Sequence, residues 1–331
     1  MKLYIGTDGG GTKTRTIAVS ADGICRGGAL AGASNPNSVG AETAFKNLIF
    51  AVSSAAKSAG VAPDFATGFF GISGVNDAAT ARKFRENLLK NRDVKFENLL
   101  VENDTRSLCA AAFGVKSGIV LIAGTGSKCY GRTADGREWE TGGYDFHVSD
   151  EASAFDLARR GLIAAVRSAD GRGEKTLLQE TLFRELQISE VGQISQRLHQ
   201  DSLKNPGKPM TKDEIAALAV FVDKAFLTGD AVAKRILEGA MGDLVTMVAT
   251  VARKLEIAPD KIELGITGGV VLHEPCATLF RQAAARAFPG CRIFSPELPP
   301  VVGAAIRALV LGGVEITPAI VENLKNSFAK N

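Results

Sequence analysis

The stretch "KLYIGTDGGGTKTRTIAVSADG", residues 2–23, decides the fold of this chain. Leu3 to Thr7 is predicted to form a strand that ends in Asp8, and the β-branched, nearly alternating residues 13–19 are predicted to form a second strand. The glycines between them then lie at the tip of a β-hairpin. A P-loop would need a different glycine spacing before Lys13, and a dinucleotide-binding fingerprint would need a helix after the glycines. The hairpin therefore fits neither of these phosphate-binding motifs.

The same organisation occurs a second time from Gly118 onward. There the chain reads "GIVLIA", "GTGSK", "CYGRT", "ADG" and "REWETGG", which gives the order strand, glycine-rich hairpin, strand, turn and strand. Both Ala-Asp-Gly turns, at 21–23 and 134–136, have the residues that a tight hairpin requires. The pattern favours internal duplication of one supersecondary unit, and a chance likeness between two glycine hairpins is the alternative.

The rest of the chain alternates predicted helices with predicted strands. Apolar spacing and β-branched runs predict helices at 41–60, 78–90, 275–288 and 301–311, strands at 67–75, 98–104, 261–271 and 291–296, and a mainly helical region at 151–255. Thr105 is a candidate cap for the helix after Asp104, and Thr211 with Glu214 fits a capping box. Strands that alternate with helices predict an α/β fold.

The composition is that of an ordinary soluble protein. Of the 331 residues, 45% are hydrophobic and 23% are charged, and the formal net charge is +3. This small charge is spread along the chain, so we expect no nucleic acid and no membrane surface as a partner. The longest apolar run, 301–314, contains Arg307 and is too short to span a bilayer. Without a signal-peptide pattern or a CxxC pair, the chain is expected to be cytoplasmic with reduced thiols.

The glycine turns match what phosphoryl transfer from a nucleotide requires. Nucleotide phosphates need converging backbone N–H groups, which glycine permits, and Mg²⁺ needs a nearby carboxylate. Another carboxylate must take the proton of the attacking hydroxyl group. Two turns, Gly9–Thr12 and Gly124–Ser127, can supply the N–H groups, and a third, Gly268–Gly269, can lie against adenine or ribose. Asp8 is the candidate metal ligand, and Asp104 is the candidate base.

Each of these features also has a purely structural explanation. A glycine-rich hairpin is more often only a tight turn, and an aspartate before a helix, such as Asp104, is often only a capping residue. The occurrence of all these features in this order favours a functional site over a series of accidents.

Five segments resemble the superfamily of actin, Hsp70 and sugar kinases, and within it the N-acetylglucosamine kinase group, which includes the BadF/BadG/BcrA/BcrD-type ATPase family. The segments are "GTDGGGTKT" (6–14) and "IAGTGS" (122–127) for the phosphate loops, "GITGGVV" (265–271) for the adenosine motif, "END" (102–104) for the catalytic aspartate and "GGYDFHVSDEASAFDL" (142–157) for a family signature. The resemblance implies an actin-like ATPase fold, with two duplicated ribonuclease-H-like domains and an interdomain cleft for ATP.

The resemblance also implies a domain division. The first domain would span residues 1–115, and the second, with a helical insertion, would span residues 116–300. A final helix of about 301–331 would pack back onto the first domain. A homodimer is the default expectation for the assembly, because closed symmetric pairs are the commonest oligomers.

The function implied is an ATP- and Mg²⁺-dependent sugar kinase that phosphorylates a hexose, with N-acetylglucosamine or glucosamine as the expected small-molecule substrate. Asp104 would be the catalytic base and Asp8 would hold the metal. The ATP-binding residues would be Gly10, Gly11, Thr12, Lys13, Thr14, Gly124, Thr125, Gly126, Gly268 and Gly269. The sugar-binding residues would be Asn35, Ser127, Lys128, Gly143 and Asp150.

Departures from the family pattern fall on the sugar side. Lys128 stands where amino-sugar kinases often have asparagine, and it either donates to an acidic group of a ligand or points into solvent. Tyr144, Asp145, Ser149 and Ala152 replace a tryptophan and three glycines of the signature. Transfer from ATP is therefore better supported than the acceptor.

Two rival functions remain open from the sequence. One is an ATPase that activates a dehydratase or reductase through an iron–sulfur cluster shared between subunits, for which the chain offers no suitable cysteine pair. The other is a non-catalytic sugar or nucleotide sensor, against which Asp8 and Asp104 argue.

Overall fold

The structure is a computed structural model that describes residues 2–329. Within that range ten strands form two five-stranded sheets. The strands are β1 Leu3–Gly9, β2 Lys13–Val19, β3 Cys25–Gly32, β4 Asp64–Ile72, β5 Lys95–Glu102, β6 Gly118–Ala123, β7 Ser127–Arg132, β8 Glu138–Gly142, β9 Glu263–Thr267 and β10 Arg292–Phe294.

The helices of the described residues confirm those predicted near 41–60, 78–90 and 275–288. They are α1 Pro36–Val39, α2 Ala41–Ser58, α3 Ala78–Lys90, α4 Asp104–Phe113, α5 Ala154–Ala169, α6 Leu177–Glu185, α7 Ile194–His199, α8 Lys212–Ala216, α9 Ala219–Leu227, α10 Ala231–Lys254, α11 Gly269–Leu272, α12 Cys276–Ala287, α13 Pro300–Leu311 and α14 Pro318–Phe328. No helix within 2–329 is long and apolar enough to cross a membrane.

The two sheets have the same strand order, and this confirms the duplication predicted from the hairpins. The first sheet runs β3-β2-β1-β4-β5 and the second runs β8-β7-β6-β9-β10, so each repeat places its strands in the order third, second, first, fourth, fifth. In the first sheet β1 pairs antiparallel with β2 and parallel with β4. Antiparallel hairpins need only a short turn, whereas the parallel strand is reached through helical crossovers.

The chain divides into two compact units. The first contains the residues up to Val120, Arg132–Arg137 and the residues from Ser295 onward. The second contains Leu121–Gly131 and Glu138–Phe294. The first sheet and helices α1–α4, α13 and α14 lie in the first unit, and the long helical region α5–α10 lies in the second.

Helix α13 packs directly on the first sheet and on α4, and small residues permit this close approach. A Cβ atom at Gly6 of β1 would lie 2.3 Å from the backbone nitrogen of Ala305. A Cβ atom at Gly303 would lie 1.9 Å from the carbonyl oxygen of Ser107. Apolar residues around these contacts, including Ile17 and Leu309, are almost completely buried. The C-terminal segment is therefore part of the core of the first unit.

The segment after residue 300 contains two helices where the sequence predicted one. Helix α13 ends before Gly312, and α14 begins after Thr317, whose side chain accepts a hydrogen bond from the Ile320 N–H. The sequence carried this signal, since Thr317 precedes Pro318 at the first helical position, where proline is favoured. Residues 330 and 331 of the predicted final helix lie outside the described range.

Candidate active site

Asp8 and Asp104 lie close together in the first unit, and the charge of Asp104 affects the pKa of Asp8. Asp8 is near the end of β1, next to the glycine turn, and Asp104 is the first residue of α4. The pKa of Asp8 is raised to about 7, mainly by burial and secondly by the negative charge of Asp104. Arg15, which lies opposite Asp8 in the β1–β2 register, and Lys13 act in the other direction without cancelling these effects. The structure therefore brings together the two carboxylates that the sequence singled out.

This carboxylate pair has the chemistry of a site for a hard divalent cation. Mg²⁺ prefers oxygen ligands, keeps several of its waters and is commonly held by one or two carboxylates. Burial and the nearby charge of Asp104 disfavour the ionised form of Asp8, and a bound cation would favour it. The residues present thus fit a magnesium ion, which Asp8 would hold.

Asp104 is positioned by Asn103, and this corrects the predicted cap. The Asn103 side chain accepts hydrogen bonds from the Thr105 N–H at 3.2 Å and from the Thr105 hydroxyl at 2.8 Å. Thr105 is therefore not the cap, because the helix begins two residues earlier than a cap at Thr105 would give. Asn103 in turn donates through its amide to Asn76 at 2.9 Å. Asp104 begins the helix with its carboxylate in the first turn, where negative charge is favourable.

The first glycine turn is confirmed as a hairpin tip and is tied to Asn35. The Gly10 N–H donates to the Lys13 carbonyl at 2.9 Å, and the Gly10 carbonyl accepts from the Asn35 N–H at 3.2 Å. The Gly9 carbonyl accepts from the Ser73 N–H at 2.8 Å, and the Asn35 side chain donates to the Ser73 hydroxyl at 3.4 Å. Asn35, a predicted sugar ligand, thus lies beside the predicted phosphate turn in the first unit.

The other residues of this turn have different surroundings. Gly11, Thr12 and Lys13 are exposed, so backbone and side chain there are accessible to a ligand. Thr14 is fully buried, and its hydroxyl lies 2.7 Å from the Gly32 carbonyl and 2.8 Å from the Ser34 hydroxyl. The Thr14 side chain therefore stabilises the base of the hairpin and is not presented at its surface.

The second and third glycine turns touch each other in the second unit. The Gly124 N–H donates to the Gly126 carbonyl at 2.9 Å, which closes the turn between β6 and β7. Gly268 follows β9 with φ +102° and ψ 149°, a conformation available almost only to glycine. A Cβ atom at Gly268 would lie 2.3 Å from the Ala123 carbonyl oxygen and 2.8 Å from the Gly124 nitrogen. The two turns predicted to bind nucleotide therefore form one continuous backbone surface.

Gly268→Ala is expected to destabilise this surface, because alanine would be strained and would also collide with the neighbouring turn. We expect a loss on the order of 3 kcal/mol in the free energy of unfolding. Gly290→Ala is the matched control: Gly290 also has a positive φ of +90°, but its nearest neighbour, an Asp260 atom, would be 3.7 Å from the added Cβ. The control should lose only about 1 kcal/mol. Equal losses in chemical denaturation would contradict the close contact between the turns.

A cavity of about 600 Å³ lies in the second unit against these turns. Gly124, Thr125 and Gly269 contribute to its lining, as predicted nucleotide-binding residues should. The wall also contains residues that the sequence analysis missed: Leu157, Asp213, Val220, Asp223, His273 and Cys276. They come from four helices and from the turn before α12, and no motif marks them, because tertiary packing alone brings them together.

Asp223 and Cys276 form a buried polar contact in the wall of this cavity. The Cys276 thiol lies 3.6 Å from the Asp223 carboxylate oxygen. Burial raises the pKa of Asp223 to about 6, although the thiol hydrogen bond acts in the opposite direction. Burial, followed by the charge of Asp223, raises the pKa of the Cys276 thiol. Burial thus disfavours the charged forms of both groups, and a mainly apolar wall with a few polar groups suits a flat heteroaromatic ring.

Ser127, Lys128 and Gly143, three predicted sugar ligands, lie around β7 and the end of β8. The Ser127 hydroxyl donates to the Glu151 carbonyl at 2.6 Å. Lys128 is only 6% exposed, so the alternative that it points into solvent is wrong. Its ammonium lies 3.2 Å from the Glu140 carboxylate, and its stem would be 2.8 Å from a Cβ atom at Gly143.

Asp150, the fourth predicted sugar ligand of the second unit, lies beside the second phosphate turn. A Cβ atom at Gly126 would lie 2.8 Å from an Asp150 carboxylate oxygen. The same oxygen accepts a hydrogen bond from the Lys212 ammonium at 2.7 Å. Lys212 was missed by the sequence analysis, because the two residues are 62 positions apart.

Ala152, which replaces a glycine of the family signature, keeps a backbone conformation that glycine favours. Its φ is +59°, and its N–H donates to the Asp156 carboxylate at 2.9 Å. A non-glycine residue in this conformation costs roughly 1 kcal/mol. Alanine is therefore accommodated after Asp150 in a backbone conformation that glycine would adopt more readily.

Comparison with known proteins identifies relatives over almost the whole chain. The sequence model of the BadF/BadG/BcrA/BcrD ATPase family matches residues 5–308. The N-acetylmuramic acid/N-acetylglucosamine kinase of Clostridium acetobutylicum is 29% identical over 314 residues, which are 93% of this chain and 98% of the relative. The N-acetyl-D-glucosamine kinase of Dictyostelium discoideum is 26% identical, also over 93% of this chain and 98% of the relative.

A solved structure shows the same fold. A Chromobacterium violaceum protein, provisionally named an N-acetylglucosamine kinase, superimposes with a TM-score of 0.72 and covers 93% of this chain and 99% of its own length at 24% identity. Together with the repeated strand order, this confirms the predicted α/β fold of two similar ribonuclease-H-like domains.

Proposed function

Because this chain belongs to the BadF/BadG/BcrA/BcrD ATPase family, we propose that it transfers the γ-phosphoryl group of ATP to a hydroxyl group of a hexose. The observation that carries the proposal is the pair Asp8 and Asp104 in the first unit, next to a glycine turn. A pure nucleotide sensor has no need for a second carboxylate whose charge raises the pKa of the first. The relatives described above, whose names state sugar kinase activities, support the same reaction.

In the proposed reaction Asp104 accepts the proton of the sugar hydroxyl as its oxygen attacks the γ-phosphorus. The bond from that phosphorus to the β–γ bridging oxygen breaks, and ADP leaves with the electron pair. Such transfer depends on positioning and charge stabilisation more than on covalent chemistry. Mg²⁺, held near Asp8, would neutralise charge on the phosphates. The exposed turn residues Gly11 and Thr12, and the turn Gly124–Gly126, would hold the phosphates with backbone N–H groups.

The nucleotide's adenosine is proposed to occupy the cavity of the second unit. Its volume of about 600 Å³ lies within the range of small-molecule sites, and two glycine turns form part of its wall. Gly269 would lie against the ribose or adenine, because only a residue without a side chain lets the ring approach the backbone this closely. Val220 and Leu157 supply apolar contacts for the ring.

The acceptor is proposed to be N-acetylglucosamine or glucosamine. Asn35, Ser127, Gly143 and Asp150 are the proposed contacts, and Lys128 enters the site as an ion pair with Glu140. The charges of Lys128 and Glu140 compensate each other, so the pair has no net charge. An isolated lysine at this position would instead have favoured a strongly acidic sugar. A neutral or monocationic amino sugar is therefore the better match.

An ATP-consumption screen with hexoses, hexosamines, N-acetylated sugars and acidic sugars tests the proposal. We expect ADP release above background with N-acetylglucosamine or glucosamine, and formation of the sugar phosphate. The absence of sugar-dependent ADP release across the whole panel would refute the kinase function. The rival activator function has weaker support, since Cys129 after the second turn is fully buried within β7. A colourless, iron-free preparation would exclude it.

Asp150→Ala is expected to weaken sugar binding far more than ADP binding. The substitution removes a buried charged acceptor of hydrogen bonds, so the sugar Kd should rise about 10- to 100-fold, while the Kd of ADP should change less than about threefold. Calorimetric titration with each ligand measures both values. Glu151→Ala serves as the control, because its side chain is exposed at the adjacent position. Equal weakening of both ligands would argue against a sugar-specific role for Asp150.

A further inference from the structure

The ammonium group of Lys212 lies between the second phosphate turn and Asp150. It donates to the Asp150 carboxylate at 2.7 Å and lies 3.3 Å from the position that a Cβ atom at Gly126 would take. It also lies 5.2 Å from the centre of the Phe146 ring, within the range of a cation–π contact. A positive charge is thus fixed directly beside a glycine turn of the proposed phosphate site, and no motif identified it.

The chain segment that carries Lys212 is well fixed. Thr211 and Glu214 form the predicted capping box, in which the Thr211 N–H donates to the Glu214 carboxylate at 2.7 Å. The Ser202 hydroxyl also donates to Glu214, and the Met210 N–H donates to the Leu198 carbonyl at 2.9 Å. These bonds orient the first residue of α8, so Lys212 approaches Asp150 from a rigid support.

The ion pair keeps the ammonium accessible. The Asp150 side chain is 6% exposed, whereas the Lys212 side chain is 32% exposed. An ammonium group has three donor hydrogens, and the bond to Asp150 uses one of them. Neutralising the buried Asp150 carboxylate does not require the Lys212 ammonium to be accessible beside the Gly124–Gly126 turn.

We propose that Lys212 is a further catalytic residue, whose ammonium binds the γ-phosphate of the nucleotide held on the Gly124–Gly126 turn. Asp150 holds the ammonium in place while it contacts the acceptor. As the γ-phosphorus moves from the bridging oxygen to the sugar oxygen, charge spreads over its three remaining oxygens, and a fixed cation stabilises that charge. The role of Lys212 in turnover rests on the proposed kinase function. Its contact with the γ-phosphate requires only that the chain binds ATP.

Lys212→Met and Lys212→Arg test the proposal. Methionine keeps the length and removes the charge, so kcat should fall about 100-fold. The KM for the sugar should change less than about threefold. The kcat of Lys212→Arg should be at least about tenfold higher than that of Lys212→Met, because arginine keeps the positive charge. Lys208→Met is the matched control, since Lys208 is exposed in the same segment, and its kcat should equal that of the wild type. Similar melting temperatures of all variants would show that the fold is retained.

A binding experiment separates this inference from the kinase assignment. In calorimetry at saturating Mg²⁺, Lys212→Met should weaken binding of the β,γ-imido analogue of ATP about tenfold and leave ADP binding unchanged. That result supports the phosphate contact even if no sugar is phosphorylated, in which case only the proposed function fails. Equal effects on both nucleotides would overturn the proposal. So would a rise in the sugar KM alone, of the size found for Asp150→Ala, and Lys212 would then be only a positioning partner of Asp150.

Discussion

Asp104→Asn is expected to lower kcat about 10³-fold, because asparagine cannot accept the proton of the attacking hydroxyl group. The amide has nearly the same shape, so the affinity for an ATP analogue should change less than about threefold. The helix itself should survive, because Asn103 and not Asp104 provides the cap. Steady-state ADP release gives kcat, and calorimetry with a non-hydrolysable ATP analogue gives the affinity. Turnover close to that of the wild type would remove Asp104 from the role of base.

Glu102→Gln is the matched control for this prediction. Glu102 lies two residues before Asp104, at the end of β5, and its carboxylate forms an ion pair with Arg307 of α13 at 3.0 Å. That pair is largely screened from solvent, so the variant should lose some stability and keep its kcat. If Glu102→Gln lost as much kcat as Asp104→Asn, the loss would reflect displacement of this region and not the missing base.

The sequence predicted those features of the fold and site that depend on local signals. The turns at Gly10 and Gly126 follow from glycine-rich segments between two short strands, and the strand order repeats because the local units repeat. The capping box at Thr211 and Glu214 was recognised from two residues three positions apart. These features depend on interactions between residues close in sequence, so the pattern of residue types along the chain is enough to predict them.

The features that the sequence missed depend on contacts between distant positions. Lys212 meets Asp150 across 62 residues, and Cys276 meets Asp223 across 53. Neither contact has a spacing pattern, because the helices that carry Lys212, Asp223 and Cys276 are positioned by packing against distant parts of the chain. The burial of Lys128 against Glu140 also could not be predicted from the neighbouring sequence. It depends on the position of β7 within the second sheet.

Asp8→Asn is expected to lower Mg²⁺-dependent turnover strongly and, at the same time, to stabilise the ligand-free protein. The pKa of Asp8 in the folded protein is about 7, above its ordinary value of 3.8. The folded state therefore binds the Asp8 proton more tightly than the unfolded state does. Ionised Asp8 is thus a destabilising group: its cost is absent below about pH 4, grows as the pH rises towards 7 and is complete above that value.

Asparagine removes this cost, because it carries no charge at any pH. In EDTA at pH 8 the variant should be more stable than the wild type by about 4 kcal/mol, which corresponds to a melting temperature several degrees higher. Near pH 4 the two proteins should melt at nearly the same temperature. Addition of Mg²⁺ and an ATP analogue should then raise the melting temperature of the wild type more than that of the variant, since only the wild type has the carboxylate ligand.

The combination of lost activity and gained stability distinguishes a functional Asp8 from a structural one. A carboxylate that served the fold would cost stability when replaced, at every pH above its ordinary pKa. We expect kcat/KM to fall at least about 100-fold in Asp8→Asn, with a stability difference that follows the titration of the wild-type group. Asp104→Asn should reproduce part of the stability gain, because the charge of Asp104 contributes to the raised pKa of Asp8. A variant Asp8→Asn that melts below the wild type at pH 8 would show that the carboxylate stabilises the fold, and Asp8 would then have to be withdrawn as the magnesium ligand.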